Sequence, residues 1–127
     1  MSSERLTGCR VLVVEDEYFL ANDLEKVLKS HGATVVGPID DLGEALFKAE
    51  RNGLDVAILD INIRDELAYP IADELNRLRI PFVFYTGYDD KVIPEHFAEV
   101  RRWHKPEEPR GLIDHIEQIW KRGSSVG

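Results

Sequence analysis

Four widely separated points in the chain carry groups suited to one reaction: the acidic pair Glu15-Asp16, the lone Asp60, the hydroxyl of Thr86 and the ammonium of Lys105. Three of them follow directly on short apolar runs, Val11–Val14, Val56–Leu59 and Phe82–Tyr85; Lys105 follows the less apolar stretch from Val100 to His104. Carboxylates brought close together repel by about 1–4 kcal/mol per pair at near-surface dielectric. A hard divalent cation removes that repulsion, and Mg2+ suits a site of a few carboxylates, a carbonyl and waters. Glu15, Asp16 and Asp60 are thus expected to hold Mg2+, with one oxygen of Asp60 left over. A carboxylate can attack phosphorus and form an aspartyl phosphate. Thr86 and Lys105 would then hydrogen-bond and neutralise the phosphoryl oxygens, positioning and charge neutralisation being most of phosphoryl transfer. Taken singly, each group has an ordinary reading: a helix-capping acidic run, a loop-capping aspartate, a strand-end hydroxyl, a solvated lysine. Their joint order is what points to a site.

Such a site needs elements that bring four strand ends together. Val56–Leu59 has a polar residue on each side and reads as a strand buried on both faces, as in a parallel sheet. Arg10–Glu15 reads as a first strand and Ala33–Val36 as a short second one, stopped by Gly37-Pro38. Phe82–Tyr85 is the fourth and Val100–His104 the fifth. Between them, Leu20, Leu24, Val27 and Leu28 give a helical stripe ended by Gly32. Leu42, Ala45, Leu46 and Ala49 give a second, capped by Asp40-Asp41 and closed by Asn52-Gly53. Ile71, Ala72, Leu75 and Leu78 give a third, opened by Tyr69-Pro70 after a polar loop at Arg64-Asp65-Glu66. Residues 89–99 read as a weak fourth helix with Pro94 inside it, and Leu112, Ile113, Ile116, Ile119 and Trp120 as a final one. Strands alternating with helices predict an α/β fold with helices on both faces of a doubly wound, five-stranded parallel sheet. The expected order is flavodoxin-like, 2-1-3-4-5, which places strands one, three, four and five side by side.

Length and charge narrow the setting. At 127 residues the chain reads as a single domain, taken as residues 8–122 with a loose tail at 123–127. A net charge of −8 argues against nucleic acid or an acidic membrane surface as the main partner. No apolar run approaches the ~18 residues of a membrane span, and the start does not read as a signal peptide; a cytoplasmic location is expected. Cys9 reads as an apolar filler, since no His lies near it, and His31, His96, His104 and His115 lack metal-ligand spacing. Tyr88 has two readings, a gate to the phosphoryl group or a plain helix-side aromatic.

From about Arg10 to Trp120 the chain resembles the receiver domain of two-component response regulators, the CheY-like family. Val13-Val-Glu-Asp16, Leu59-Asp60 and Lys105-Pro106 resemble that family's acidic pair, phosphoacceptor and lysine. Val35-Val-Gly37 and Gly43-Glu-Ala-Leu46 are similar to its second strand and second helix. The resemblance implies that Asp60 is the phosphorylation site and that the carbonyl of Asn62 completes the Mg2+ shell. It implies a histidine kinase or a histidine phosphotransfer protein as phosphodonor. Pro81-Phe-Val-Phe-Tyr-Thr-Gly-Tyr88 is similar to the Pro-Phe-x-Phe-Ala-Thr-Gly-Tyr segment of the FAT-GUY regulators of alphaproteobacteria, with Tyr85 in place of Ala. Tyr69-Pro-Ile-Ala-Asp73 is similar to their third-helix segment. That likeness implies a single-domain regulator working with an HWE-type sensor kinase.

The expected function is therefore a single-domain response regulator of a phosphorelay, not an enzyme in its own right. It would be a monomer or weak dimer, signalling by protein contact or onward phosphotransfer. A Mg2+-dependent aspartyl-phosphate phosphohydrolase is the runner-up, but Asn62 stands where such enzymes usually keep a second aspartate. A flavin-binding protein is disfavoured, because Glu15-Asp16-Glu17 would repel a phosphate after the first strand. One departure stands out. Ordinary receivers carry an aromatic residue three before the lysine; here it is Arg102, and the adjacent Trp103 should face the other side of the strand. Signalling is expected to run instead through ordering of the weak fourth helix.

Overall fold

The computed structural model describes residues 5–51, 53–86, 93–104 and 109–124. Its elements run β1 (Arg10–Val14), α1 (Tyr18–Ser30), β2 (Thr34–Ile39), α2 (Leu42–Arg51), β3 (Val56–Leu59), β4 (Asn62–Ile63), β5 (Glu66–Leu67), α3 (Tyr69–Arg77), β6 (Phe82–Thr86), a 3-10 turn (Glu95–Phe97), β7 (Arg102–His104) and α4 (Pro109–Ser124). The main sheet has five strands in the order β2-β1-β3-β6-β7, every pair parallel. That is the expected 2-1-3-4-5 order, because β4 and β5 pair only with each other.

Period-two alternation explains the two layers of core. Val11, Val13, Val56, Ile58, Val83 and Tyr85 point to one face and pack with Leu24 and Leu28 of α1 and Leu112, Ile113 and Ile116 of α4. Leu12, Val14, Ala57, Leu59, Phe82 and Phe84 point to the other, against Ala45 and Ala49 of α2 and Ile71, Ala72 and Leu75 of α3. Central strands buried on both faces need apolar residues at every position, and Val56–Leu59 supplies them.

Helix ends follow the sequence signals. Gly32 follows the C-cap of α1 with φ +91°, where a side chain would meet Thr7. The Asp41 carboxylate accepts the Glu44 N–H at 2.8 Å, capping α2. Pro70 lies in the first turn of α3.

Other expectations need correction. Gly37-Pro38 does not stop β2, which continues to Ile39. The register passes from Leu12 opposite Val36 to Val14 opposite Ile39, so Gly37 and Pro38 together oppose Val13 in a bulge. Gly37 has φ +112°, and a Cβ there would stand 2.7 Å from the Val13 carbonyl oxygen. An edge strand tolerates the proline because its missing N–H has no ladder partner to lose. The polar loop at 64–66 is the tip of the β4–β5 hairpin, with Ile63 opposite Glu66. Of the expected fourth helix, residues 89–92 lie outside the described part; over 93–99 there is a single 3-10 turn, Glu95–Phe97. Leu6 is fully buried and its N–H donates to the His31 carbonyl, while α4 continues to Ser124. No helix among the described residues is long and apolar enough to cross a membrane.

Candidate functional site

The carboxyl ends of β1 and β3 lie side by side, Val14 pairing with Leu59. The residues that follow are therefore delivered to one place. The Asp60 N–H donates to the Val14 carbonyl at 2.9 Å, and the Glu15 N–H to the Ile39 carbonyl at 2.9 Å. Both acids are fixed by backbone bonds to neighbouring strands before their side chains are considered.

Glu15 and Asp60 are buried, at 4% and 6% exposure, whereas Asp16 is exposed. Two buried carboxylates beside each other are unfavourable without a compensating charge or hydrogen bonds. Some hydrogen bonds are present. The Glu17 N–H donates to Glu15 Oε1 at 3.0 Å, the Asn62 N–H to Asp60 Oδ1 at 3.3 Å, and the Arg64 N–H to Asp16 Oδ2 at 2.8 Å. Each of the three side chains offers an oxygen within 4.8 Å of the others'. Oxygens bound to one Mg2+ at 2.0–2.1 Å stand about 2.9–4.2 Å apart, so small side-chain rotations close the set around a cation. A hard, all-oxygen donor set of this size suits Mg2+ and does not suit a thiophilic metal.

Beside the cluster opens a cavity of about 400 Å³, walled by Glu15, Asp16, Tyr18, Asn22, Glu25 and Asp40 among others. Asp40 pairs with the guanidinium of Arg64 at 2.6 Å. Neither Arg64 nor Asp40 stood out in the sequence as part of a site. A two-residue hairpin turn is usually announced by Asn-Gly or Asp-Gly. Here Arg64 and Asp65 hold φ +51° and +66° with no glycine to signal it.

The other expected residues fall as follows. Asn62 lies in β4 with its amide on Asp60. Thr86 is the last residue of β6 and pairs with His104 of β7; its hydroxyl lies outside the described part of the structure, as do the whole of Lys105 and Tyr88. Thr86 and His104 end adjacent strands at the same edge of the sheet as Glu15 and Asp60. Arg102 is exposed and opposite Phe84, while Trp103 turns to the α1/α4 face, lying against Gly111 and under the Arg101 guanidinium. The expected opposition of the two side chains is what the strand shows. Cys9 is fully buried, and burial, aided by Asp55, pushes its thiol up to about 12. The cysteine is a core residue. His31 ends α1, His96 bonds Asp73, and His115 lies by Trp103, away from the acidic cluster.

Comparison with known proteins places this geometry. The chain is similar to the sensory transduction protein RegX3 of Mycolicibacterium smegmatis, 34% identical over 120 residues, covering 90% of this chain and 51% of that protein. It spans about half the length of the curated relatives it matches. The solution structure of SdrG from Sphingomonas melonis Fr1 superposes with a TM-score of 0.78 at 36% identity, covering 91% of this chain and 97% of that one. This likeness to SdrG fits the FAT-GUY resemblance. The BeF3-activated conformation of SdrG superposes with a TM-score of 0.70 at 33% identity, covering 94% of this chain and 99% of that one. The model of the response regulator receiver domain matches residues 11–117, which include β3, all of β1 after Arg10, and the three acids of the cluster. The chain belongs to the response regulator receiver domain family of two-component systems.

Proposed function

We propose that the chain accepts a phosphoryl group on Asp60 from a phosphohistidine, with Mg2+ bound by Glu15, Asp16, Asp60 and the Asn62 carbonyl. The observation that carries this reading is the convergence of three carboxylates, with ligand oxygens within 4.8 Å, at the ends of two adjacent central strands. The Asn62 carbonyl is favoured by ladder geometry. Asn62 stands opposite Leu67, next to the bonded pair in which the Ala68 N–H donates to the Ile61 carbonyl. Bonded and non-bonded pairs alternate in an antiparallel ladder, so the Asn62 backbone groups turn away from Leu67, to the side where its N–H meets Asp60.

In the reaction, an Asp60 oxygen attacks phosphorus; the O–P bond forms as the N–P bond to the donor imidazole breaks. Mg2+, when bound, offsets the charge that gathers on the phosphoryl oxygens. The Asn62 backbone N–H orients the Asp60 carboxylate through Oδ1. Thr86 and Lys105 complete the reading by contacting the phosphoryl oxygens from the ends of β6 and β7. The phosphodonor is a histidine kinase of the HWE type or a histidine phosphotransfer protein. Output runs through protein contact or onward phosphotransfer by a cytoplasmic monomer or weak dimer, without nucleic acid. Support for activation by a phosphoryl group comes from SdrG, whose BeF3-activated form shares this fold. The phosphohydrolase reading is disfavoured, because the Asn62 side chain cannot act as an acid or base.

Incubation with acetyl phosphate and Mg2+ tests the acceptor. Wild type should take up label and Asp60→Asn should not; label that persists in Asp60→Asn would place the acceptor elsewhere.

A further inference from the structure

Arg64 makes two contacts in different directions. Its backbone N–H donates to Asp16 Oδ2 at 2.8 Å, and its guanidinium Nη2 donates to Asp40 Oδ2 at 2.6 Å. It does so from φ +51°, a conformation that side-chain-bearing residues rarely adopt. Glycine or asparagine would make this turn more readily. An arginine is needed there only for what its side chain reaches, and it reaches Asp40, the first residue after β2.

The consequence is geometric. Asp40 walls the same cavity as Glu15 and Asp16. The guanidinium thus ties the hairpin tip to the loop after β2, beside Asp16 of the acidic cluster. That tie holds the Arg64 amide on one oxygen of Asp16 and leaves the other for a cation. Two residues back on the same hairpin, the Asn62 amide touches Asp60. We propose that Arg64 is a positioning residue for the cation site: its bond to Asp40 holds the β4–β5 hairpin so that backbone amides orient Asp16 and Asp60. This rests on reading the cluster as the Mg2+ site of a phosphoacceptor.

Both side chains of the pair are partly exposed, at 65% and 49%. Such pairs contribute little to global stability, so the effect belongs in cation affinity rather than in folding. The test is a charge-matched double variant, Arg64→Gly with Asp40→Asn. It deletes one cation and one anion, keeps the amide at residue 64, and gives that position a residue at ease with positive φ. Calorimetric titration of the full chain with Mg2+ is the measurement. The double variant should bind about three- to tenfold more weakly than wild type, the size of a lost orienting contact between neighbouring groups. Arg64→Lys, which can still reach Asp40, should recover most of the affinity. In the metal-free protein, the residue 64 amide should lose its hydrogen-bonded nitrogen–proton chemical shift in the double variant. Equal Mg2+ affinities for the double variant and wild type would overturn the positioning role alone. A wild type that binds no Mg2+ at millimolar concentration would overturn the reading of the site as well.

Discussion

Under α1 and α4 the central strands present four valines, an isoleucine and the single ring of Tyr85, and the two helices answer mainly with leucines and isoleucines. Among the described residues, the opposite face is covered by α2, α3 and a 3-10 turn. Rings fill the space there. Tyr69 stacks on Phe97 with centroids 5.6 Å apart, and Phe84 meets both edge-on, at 6.2 and 5.9 Å. Phe82 adds edge contacts to Phe84 and Phe97. Phe97 is the buried residue of the 3-10 turn, and the partly buried Ile93 and Val100 flank it against the same core. The comparison separates two ways of closing a layer. Long amphipathic helices spread burial over many aliphatic contacts; a short turn concentrates it in one large side chain.

The strongest way to break that contrast is Phe97→Ala. Truncating a buried phenylalanine costs about 3–5 kcal/mol. Urea denaturation should show a loss in that range, concentrated in residues 93–104 when followed by amide exchange. A loss under about 1 kcal/mol would mean that the turn is held by something other than its ring.

The same comparison shows what could be read from sequence. The two-sided strands were legible because Val11–Val14, Val56–Leu59 and Phe82–Tyr85 are apolar at consecutive positions, and their order fixed which strand ends meet. Glu15, Asp16 and Asp60 converge for that reason. What escaped depends on contacts remote in sequence. Pro38 continues a strand because Gly37 bulges beside Val13, and no local signal distinguishes that from a stop. Residues 93–99 have a thin helical pattern, and the ring cluster around Phe97 settles them as a single turn. Leu6 has no periodic apolar neighbours to mark it, yet it lies in the core with its N–H on the His31 carbonyl. Arg64 was hidden because its role lies in a backbone amide and a bond to residue 40.

A second prediction sharpens the contrast by asking which face responds to the phosphoryl group. Tyr69 begins α3 directly after the hairpin that touches Asp16 and Asp60, so the aromatic layer is mechanically next to the site. With Arg102 where other receivers carry an aromatic switch, ordering of the Phe97 segment is the proposed output. Beryllofluoride with Mg2+ should slow amide exchange from Ile93 to Val100 by about tenfold, roughly 1.4 kcal/mol of local opening energy. Amides of α4 from Leu112 to Ile119 should stay within twofold. Equal changes on both faces would remove the distinction.

The smallest effect belongs to the aliphatic side. Arg5 donates to Glu117 Oε1 at 2.8 Å and also pairs with Asp114, both on α4. The hydrogen bond to Arg5 holds the Glu117 carboxyl below its ordinary value. A depressed carboxyl stabilises the fold above its unfolded value and stops doing so as pH falls through the folded one. Arg5→Ala should therefore lower the melting temperature slightly at neutral pH, and the difference from wild type should vanish in acid. A difference that persists at pH 2 would assign the effect to packing of the arginine stem.

The Arg5–Leu6 segment also sets a polarity for handling the molecule. It lies against the end of α1 marked by His31, where the parallel strands begin, and the carboxylates cluster where those strands finish. A linker, fluorophore or surface tether joined upstream of Arg5 would be attached at the pole opposite the carboxylate cluster. Immobilisation from that side leaves the face that carries Glu15, Asp16 and Asp60 open to solution.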